Sequence, residues 1–164
     1  MQKETLFDPD DVVWNRVSTN LITMRRLVAL GVNGIVAGAA VFAYIPALNW
    51  TWRGIIIGVM AVLSLWEFWL INRQVRAIGY VERDDDLLIR KGILFRELVV
   101  VPYGRMQFVD VQSGPVERLF NLASVQLHTA SPTSKAKIPG LLPEEAARLR
   151  DRLATRGEAQ MAGL

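Results

Sequence analysis

Two long apolar runs, separated by a short connector, constrain the fold of this chain more than any other feature of its sequence. The first run, residues 27–45, contains no charged side chain, and the second, residues 54–71, contains only Glu67. A helix rises 1.5 Å per residue, so each run is close to the ~20 residues that cross the hydrocarbon core of a bilayer. Buried helices of soluble proteins usually keep a polar stripe, which neither run has. The sequence therefore predicts a transmembrane α-helical hairpin.

Arginines near the ends of the two runs predict the orientation of the hairpin. Positive side chains concentrate on the cytoplasmic side of a membrane. The connector contains Arg53 alone, whereas the outer flanks contain Arg16, Arg25, Arg26, Arg73 and Arg76. We therefore expect a multi-pass membrane protein with both termini in the cytoplasm, in which residues 1–26 form a cytoplasmic N-terminal segment.

Scattered apolar residues precede the first run. Leu21, Ile22 and Met24 predict an amphipathic turn at the inner leaflet, and Trp14 predicts a shallow interfacial anchor. A disordered tail ahead of Val12 is an equal alternative for the beginning of this segment.

Small residues in the first run predict a face for helix packing. Gly34 and Gly38 form a GxxxG pair, and Gly31 lies about one turn earlier. Glycines at this spacing let two helix backbones approach closely. The partner helix is either the second span of the same chain, which we favour, or a helix of another subunit in an oligomer.

The acid in the second run has a structural and a functional interpretation. Intramembrane acids are functional candidates, so Glu67 is a candidate member of a transport or envelope-lipid pathway. It lies only four residues before Ile71, however, close to the predicted inner interface. We therefore favour contact with headgroup water, an ion pair with Arg73, or an ion pair with an arginine before the first span.

The pattern changes after residue 76 to short β-rich runs interrupted by Gly, Pro and Asp. Such runs predict six or seven short antiparallel strands. Pro115 begins a predicted helical turn, and Asn121 is suited to end it in the left-handed region. Residues 123–131 alternate as a strand does, with Val125, Leu127 and Thr129 on one face.

The chain ends in a predicted amphipathic helix that begins at Pro143. Its apolar stripe consists of Leu142, Ala146, Leu149 and Leu153. We expect this helix to cap a partly open antiparallel barrel over residues 78–156. Residues 157–164 are predicted to form a C-terminal tail.

Several short motifs in this β-rich region occur together in a known pattern. They are Pro102–Tyr103, Arg105–Gln107, Asp110–Val111, Gly114–Pro115, Arg118–Leu119 and His128–Ala130. As a set they resemble the bacterial pleckstrin-homology (PH) family of small membrane proteins, which combines two N-terminal spans with one PH-like domain. The resemblance covers nearly the whole chain and implies a protein of the bacterial cytoplasmic membrane. Asn121 and Ser131 stand where that family usually has glycine.

The sequence contains no pattern typical of catalysis or of cofactor binding. It has no cysteine and one histidine, which excludes disulfides, thiol nucleophiles and Cys-based zinc sites. The acidic turn at residues 84–86 lacks the later Gly and Glu of a calcium-binding loop. We therefore expect no enzymatic activity, no cofactor and no metal ion, and a structural or surface role for His128.

The charge distribution argues against nucleic-acid binding and allows weak binding to anionic lipid. Residues 1–80 hold seven Lys/Arg against five acids, and residues 81–164 hold twelve against eleven, without the basic bias of a nucleic-acid binder. The acidic first hairpin also argues against phosphoinositide recognition of the kind shown by eukaryotic PH domains. Basic residues that are candidates for contact with anionic headgroups are Arg25, Arg26, Arg73, Arg76, Arg90, Lys91 and Arg96.

Together these features predict a non-enzymatic adaptor or accessory subunit anchored in the membrane. We expect the PH-like domain to bind a protein partner at the inner face, either another membrane protein or a second copy of the chain. An exposed strand edge is the expected place for that contact. The alternative is a component of a transport or envelope-lipid pathway that uses Glu67.

Overall fold

The computed structural model describes residues 12–43, 49–129 and 136–162. These residues form two compact units. One is a helical unit, residues 22–73, and the other is a β unit built from the chain up to residue 21 and from residue 74 onwards. In sequence, the helical hairpin is therefore an insertion into the β unit.

The helical unit is built from two long helices, α1 (Asn20–Ala43) and α2 (Trp50–Arg76). Segments of both, Asn20–Ala40 and Trp50–Arg76, are long and apolar enough to cross a membrane, by length and composition. The helices contain the predicted spans except for residues 44 and 45, which lie outside the described part of the chain. Many of their large apolar side chains are exposed, as expected of helices surrounded by lipid.

The β unit contains two antiparallel sheets among the described residues. The first has four strands, which lie side by side in chain order: β1 (Asn15–Arg16), β2 (Gly79–Glu82), β3 (Asp86–Lys91) and β4 (Glu97–Pro102). The second has three strands, also in chain order: β5 (Met106–Gln112), β6 (Ala123–Thr129) and β7 (Ala136–Leu141).

Short helical elements connect the strands and end the unit. A 3-10 turn (Tyr103–Arg105) joins the two sheets, and α3 (Pro115–Leu119) joins β5 to β6. Asn121 after α3 has φ of 53°, which confirms the predicted left-handed residue. Helix α4 (Pro143–Ala162) follows β7.

The core of the β unit includes one face of α4. Ala146, Leu149 and Leu153 are fully buried, which confirms most of the predicted stripe. Leu142 is 44% exposed instead, because it precedes the first residue of α4 and does not lie on its buried face. The other large, fully buried side chains come from both sheets and their connections and include Leu87, Ile89, Tyr103, Leu127 and Ile138.

The two sheets do not close into a barrel within the described residues. Strands β4 and β5 are consecutive, but β4 pairs with β3 and β5 pairs with β6. Each is an edge strand of its own sheet, so its outer edge stays outside the ladders of the described strands. This arrangement confirms an open PH-like β domain with a C-terminal helix.

The segment before α1 belongs to the β unit, contrary to the prediction of an anchor on the inner leaflet. Strand β1 pairs with β2, and the ring of Trp14 packs on Gly79 and under the guanidinium of Arg90 at 4.5 Å. Leu21, in the first turn of α1, is also part of the β unit and is buried against Gly140, where an added Cβ would lie only 2.6 Å from the leucine side chain. These contacts inside the domain place Trp14 and Leu21 in its packing.

Helix α4 continues to Ala162, so residues 157–162 are not the tail that the sequence predicted. The C-terminal turns of the helix contact the acidic turn between β2 and β3. Gln160 donates to the carboxylate of Asp85 at 3.2 Å, and Arg156 donates to the carbonyl of Arg83. The β domain therefore extends beyond both of its predicted limits, 78 and 156.

Candidate functional site

A polar contact joins the two helices of the hairpin. The side-chain amide of Asn33 on α1 donates to Glu67 on α2 at 2.8 Å and lies 3.5 Å from the hydroxyl of Ser64. Glu67 was predicted to reach headgroup water or an arginine. Its contact is Asn33 instead of Arg73, whose guanidinium lies over the ring of Trp69 at 4.9 Å. The polar side chains thus hold α1 and α2 together, as such hydrogen bonds do between membrane helices.

The glycines predicted to pack helices lie on another side of α1. A Cβ added to Gly31, Gly34 or Gly38 would meet no atom within 4 Å. At 3.6 residues per turn, Gly34 and Gly38 are rotated by about 100–140° from Asn33, which faces α2. The favoured packing of these glycines against the second span is therefore wrong. Packing against a helix of another subunit stays a prediction.

The candidate residues for headgroup contact fall into two groups. Four lie on the long helices: Arg25, Arg26, Arg73 and Arg76. Three lie on the hairpin of β3 and β4: Arg90, Lys91 and Arg96. Lys91 forms an ion pair with Glu97 at 3.2 Å across this hairpin, whereas Arg96 at its end is exposed. The structure brings the second group together, and headgroup contact itself stays a prediction.

A groove lies along β5, between this strand and α4, with a volume of about 350 Å³. The strand lines it with Met106, Gln107, Phe108 and Val109, and the helix lines it with Arg150, Leu153, Ala154, Gly157 and Glu158. Its lining is therefore mostly apolar, with one basic and one acidic side chain from the helix. Its strand wall, β5, is an edge strand that pairs only with β6 among the described strands.

Polar contacts fix α4, and with it one wall of the groove, against the rest of the β unit. They join Tyr80 to Glu145 at 2.7 Å, Arg152 to Glu82 at 3.5 Å, and Arg156 to the hydroxyl of Tyr103 at 3.2 Å. These contacts are spread from the first turn of the helix to its second half. The wall is consequently a rigid part of the domain.

The pair at the first turn of α4 has shifted acidities. Burial, together with the hydrogen bond to Glu145, raises the pKa of the Tyr80 phenol. Burial alone would also raise the pKa of Glu145. The hydrogen bond from Tyr80 and the ion pair with Arg148 outweigh it, so the pKa of Glu145 lies below its usual range. The contact therefore holds a neutral phenol against an ionised carboxylate at neutral pH.

An aromatic pair lies on the face of β5 and β6 next to the groove. Phe108 and His128 are cross-strand partners with ring centroids 4.1 Å apart and nearly parallel planes. The carboxylate of Asp110 lies 3.4 Å from Nε2 of His128. No group of three or more metal-ligating side chains comes together in the described part of the chain. Phe108 and His128, with Asp110 beside them, form a partly exposed aromatic surface.

The sequence analysis expected contact at an exposed strand edge but did not single out β5 or the groove. Phe108 stands in the alternating run QFVDVQ, and 53% of its surface is exposed. A large aromatic residue on the polar face of a strand is the signal that would have singled out β5. The predicted helix included the wall up to Ala154, but Gly157 and Glu158 were missed because a glycine at this position is typical of a helix end.

The family model for the bacterial PH domain matches residues 25–157, a range that includes most of α1, all of α2 and nearly all of the β unit that follows. This chain belongs to the bacterial PH domain family. It is also 30% identical over 142 residues to the "UPF0699 transmembrane protein YdbS" of Bacillus subtilis (strain 168), an alignment that covers 84% of this chain and 88% of that relative. No solved structure matches the chain.

These similarities confirm the family that the motifs resemble, and with it the class of protein. The chain is a bacterial membrane protein with two apolar helices and a PH domain. The bacterial PH domain family is not a known class of enzyme.

Proposed function

We propose that this bacterial PH protein is a non-enzymatic, membrane-anchored accessory subunit whose β unit binds an extended segment of a protein partner along β5. The observation that carries the proposal is the position of β5: its edge away from β6 forms no ladder among the described strands, and its residues 106–109 line the groove with α4. An exposed edge presents backbone N–H and C=O groups that a partner strand can pair with.

The lining of the groove indicates the chemistry of the segment. In strand addition, backbone hydrogen bonds give affinity and pockets for alternate side chains give specificity. A groove of about 350 Å³ is at the small end of the range for ligand pockets, so it suits one or two apolar side chains. Arg150 and Glu158 favour a segment with charges of both signs beside its apolar residues.

The pairing of β1 with β2 supports a hairpin whose two ends are on the same side of the membrane. β1 precedes α1 and β2 follows α2, yet both lie in one sheet. A small folded domain lies on one side of a bilayer, because its polar backbone edges and charges are costly in hydrocarbon. The excess of arginine at the outer flanks favours the cytoplasmic side for the β unit.

The contact of Glu67 favours a packing role over a role in transport. Its carboxylate accepts a hydrogen bond from Asn33 within the hairpin, a contact that joins the two helices. The open glycine faces of α1 leave room for a membrane helix of the partner or of a second copy. The membrane part then offers a second contact to the same partner.

Site-specific crosslinking in the native membrane tests the β5 groove. A photo-crosslinking amino acid replaces Gln107, which is exposed and lines the groove, and the adducts are identified by mass spectrometry. We expect a discrete adduct with one protein. Ala154→Trp, which fills the groove from its exposed helical wall, should abolish that adduct.

The matched control is Ala159→Trp, an exposed alanine of the same helix that does not line the groove. It should leave the adduct unchanged. If no adduct forms at position 107, or if both tryptophans have the same effect, β5 is not the binding site.

A further inference from the structure

The turn between β3 and β4 exposes two large apolar side chains. Leu94 and Phe95 at this tip are 83% and 92% exposed, and Phe95 has the most exposed ring among the described aromatic residues. The β3–β4 hairpin buries apolar residues nearer its base, including Leu88 and Ile89. Its tip therefore departs from the usual pattern in which a turn in water is polar.

The backbone holds the tip in a fixed shape. Gly92 has φ of 91°, and a Cβ at this position would collide with the carbonyl oxygen of Phe95. The ion pair of Lys91 with Glu97 closes the base of the turn, where the two residues are cross-strand partners. Leu94 and Phe95 are thus presented outwards by a closed turn and do not fold back on the sheet.

Positive charge lies next to the apolar tip. Arg96 follows Phe95 directly and is exposed, and Arg90 and Lys91 precede the turn. An apolar tip with a basic border is complementary to a bilayer surface, where acyl chains lie beneath anionic headgroups. The other strongly exposed leucine, Leu119, stands beside Glu117 and Arg118 of opposite charge and lacks this border.

A short linker tethers the β unit close to a bilayer. Only Ala77 and Ile78 separate the end of α2 from the start of β2, so the β unit cannot leave the membrane that anchors it. A short tether gives a high effective concentration, and weak contacts then suffice for docking. We propose that Leu94 and Phe95 insert into the interfacial region of the bilayer, with Arg96 at the level of anionic headgroups. This docking is independent of the partner segment at β5.

Lipid-quenched fluorescence of the full-length chain tests the insertion. The sequence has no cysteine, so Leu94→Cys and Leu119→Cys each introduce a single thiol for an environment-sensitive label. The two leucines are equally exposed, which makes position 119 the matched control. The labelled protein is reconstituted in vesicles of phosphatidylcholine with phosphatidylglycerol, which contain a lipid-attached nitroxide quencher. We expect blue-shifted, quenched emission at position 94 and neither effect at position 119.

Second substitutions in the Leu94→Cys protein separate the apolar and electrostatic contributions. Phe95→Ser should lower the ratio of docked to undocked label by on the order of ten-fold or more, as the loss of a buried aromatic side chain implies. Arg96→Glu should lower it by roughly ten-fold in the anionic vesicles and little in pure phosphatidylcholine. Leu119→Ser, at the control position, should leave the ratio unchanged.

Three results would overturn the proposal. The first is a label at position 94 that stays in water, and the second is equal quenching at positions 94 and 119. The third is a blue-shifted label at position 94 that the lipid nitroxide does not quench, because the tip is then covered by protein, such as a second copy of the chain.

Discussion

The helical unit and the β unit are stabilised in opposite ways. In the β unit, Leu149 and Leu153 of α4 are fully buried, and polar contacts tie the same helix to the strands and turns beside it. In the hairpin, Asn33 and Glu67 join two helices whose apolar side chains mostly face outwards. The hairpin therefore depends on the bilayer to cover its surface, whereas the β unit has its own core. The edge of β5 away from β6 and the groove beside α4 are then available for binding.

The largest expected effect tests whether the β unit is closed by α4. Leu149→Ala and Leu153→Ala should each lower its free energy of unfolding by ~2–5 kcal/mol, because each removes a fully buried side chain. Pulse proteolysis of the full-length protein in increasing urea measures this loss. Leu119→Ala, at a position that is 83% exposed, should cost less than ~0.5 kcal/mol. Equal effects at all three positions would show that α4 is not part of the core, and the β unit would then lack the buried core that distinguishes it from the hairpin.

A smaller effect concerns the polar tie between α4 and β2. The pKa of Glu145 is lowered in the folded protein, so its stabilisation is present above the usual value of 4.5 and is lost as pH falls through the folded value. Glu145→Gln should cost about 1 kcal/mol at neutral pH, since the side chain is a third exposed. Unfolding measured from neutral to strongly acidic pH should show this difference vanish on acidification.

Glu144→Gln is the control for this pH dependence. Glu144 lies in the same first turn of α4 and is exposed, so its replacement should not reproduce the effect. A difference between Glu145→Gln and wild type that persists unchanged in acid would show that the carboxylate is not the stabilising group.

The smallest effect belongs to the hairpin. Asn33→Ala removes the hydrogen bond to Glu67 and should destabilise the pair of helices by ~0.6–1.7 kcal/mol, measured as loss of helicity in increasing SDS. Glu67→Gln keeps an acceptor for Asn33 and should cost less. Gly38→Leu should leave hairpin stability unchanged, because the glycine face is open.

Two outcomes would reverse the interpretation of the hairpin. A cost for Gly38→Leu larger than for Asn33→Ala would place the glycines in the helix contact after all. A loss of cellular function in Glu67→Gln, with hairpin stability unchanged, would favour the transport alternative.

Local patterns predicted the elements that depend on nearby residues. The apolar runs predicted α1 and α2, and the stripe of Ala146, Leu149 and Leu153 predicted the buried face of α4. Asn121 was correctly placed in a left-handed turn. Each of these depends on periodicity or on the conformational preference of one residue, which a sequence displays directly.

Features that depend on long-range pairing were missed. β1 has only two residues, Asn15 and Arg16, and neither carries an apolar pattern, because the strand is defined by its partner more than 60 residues later. Local sequence patterns also could not predict which way the glycine face of α1 points. That direction is decided by which side of α1 holds Asn33, and a hydrogen bond between helices leaves no signal in the spacing of small residues.

The pairing of β1 with β2 also sets an order of events during synthesis. β1 leaves the ribosome first, but the strand that it pairs with is made only after both hydrophobic helices. The N-to-C order of translation therefore makes both helices available for membrane insertion before the first sheet can be completed. A chain whose helices are not inserted brings β1 and β2 together only across a long apolar loop, which aggregates readily in water. Correct placement of the anchor is therefore a step in the folding of the domain.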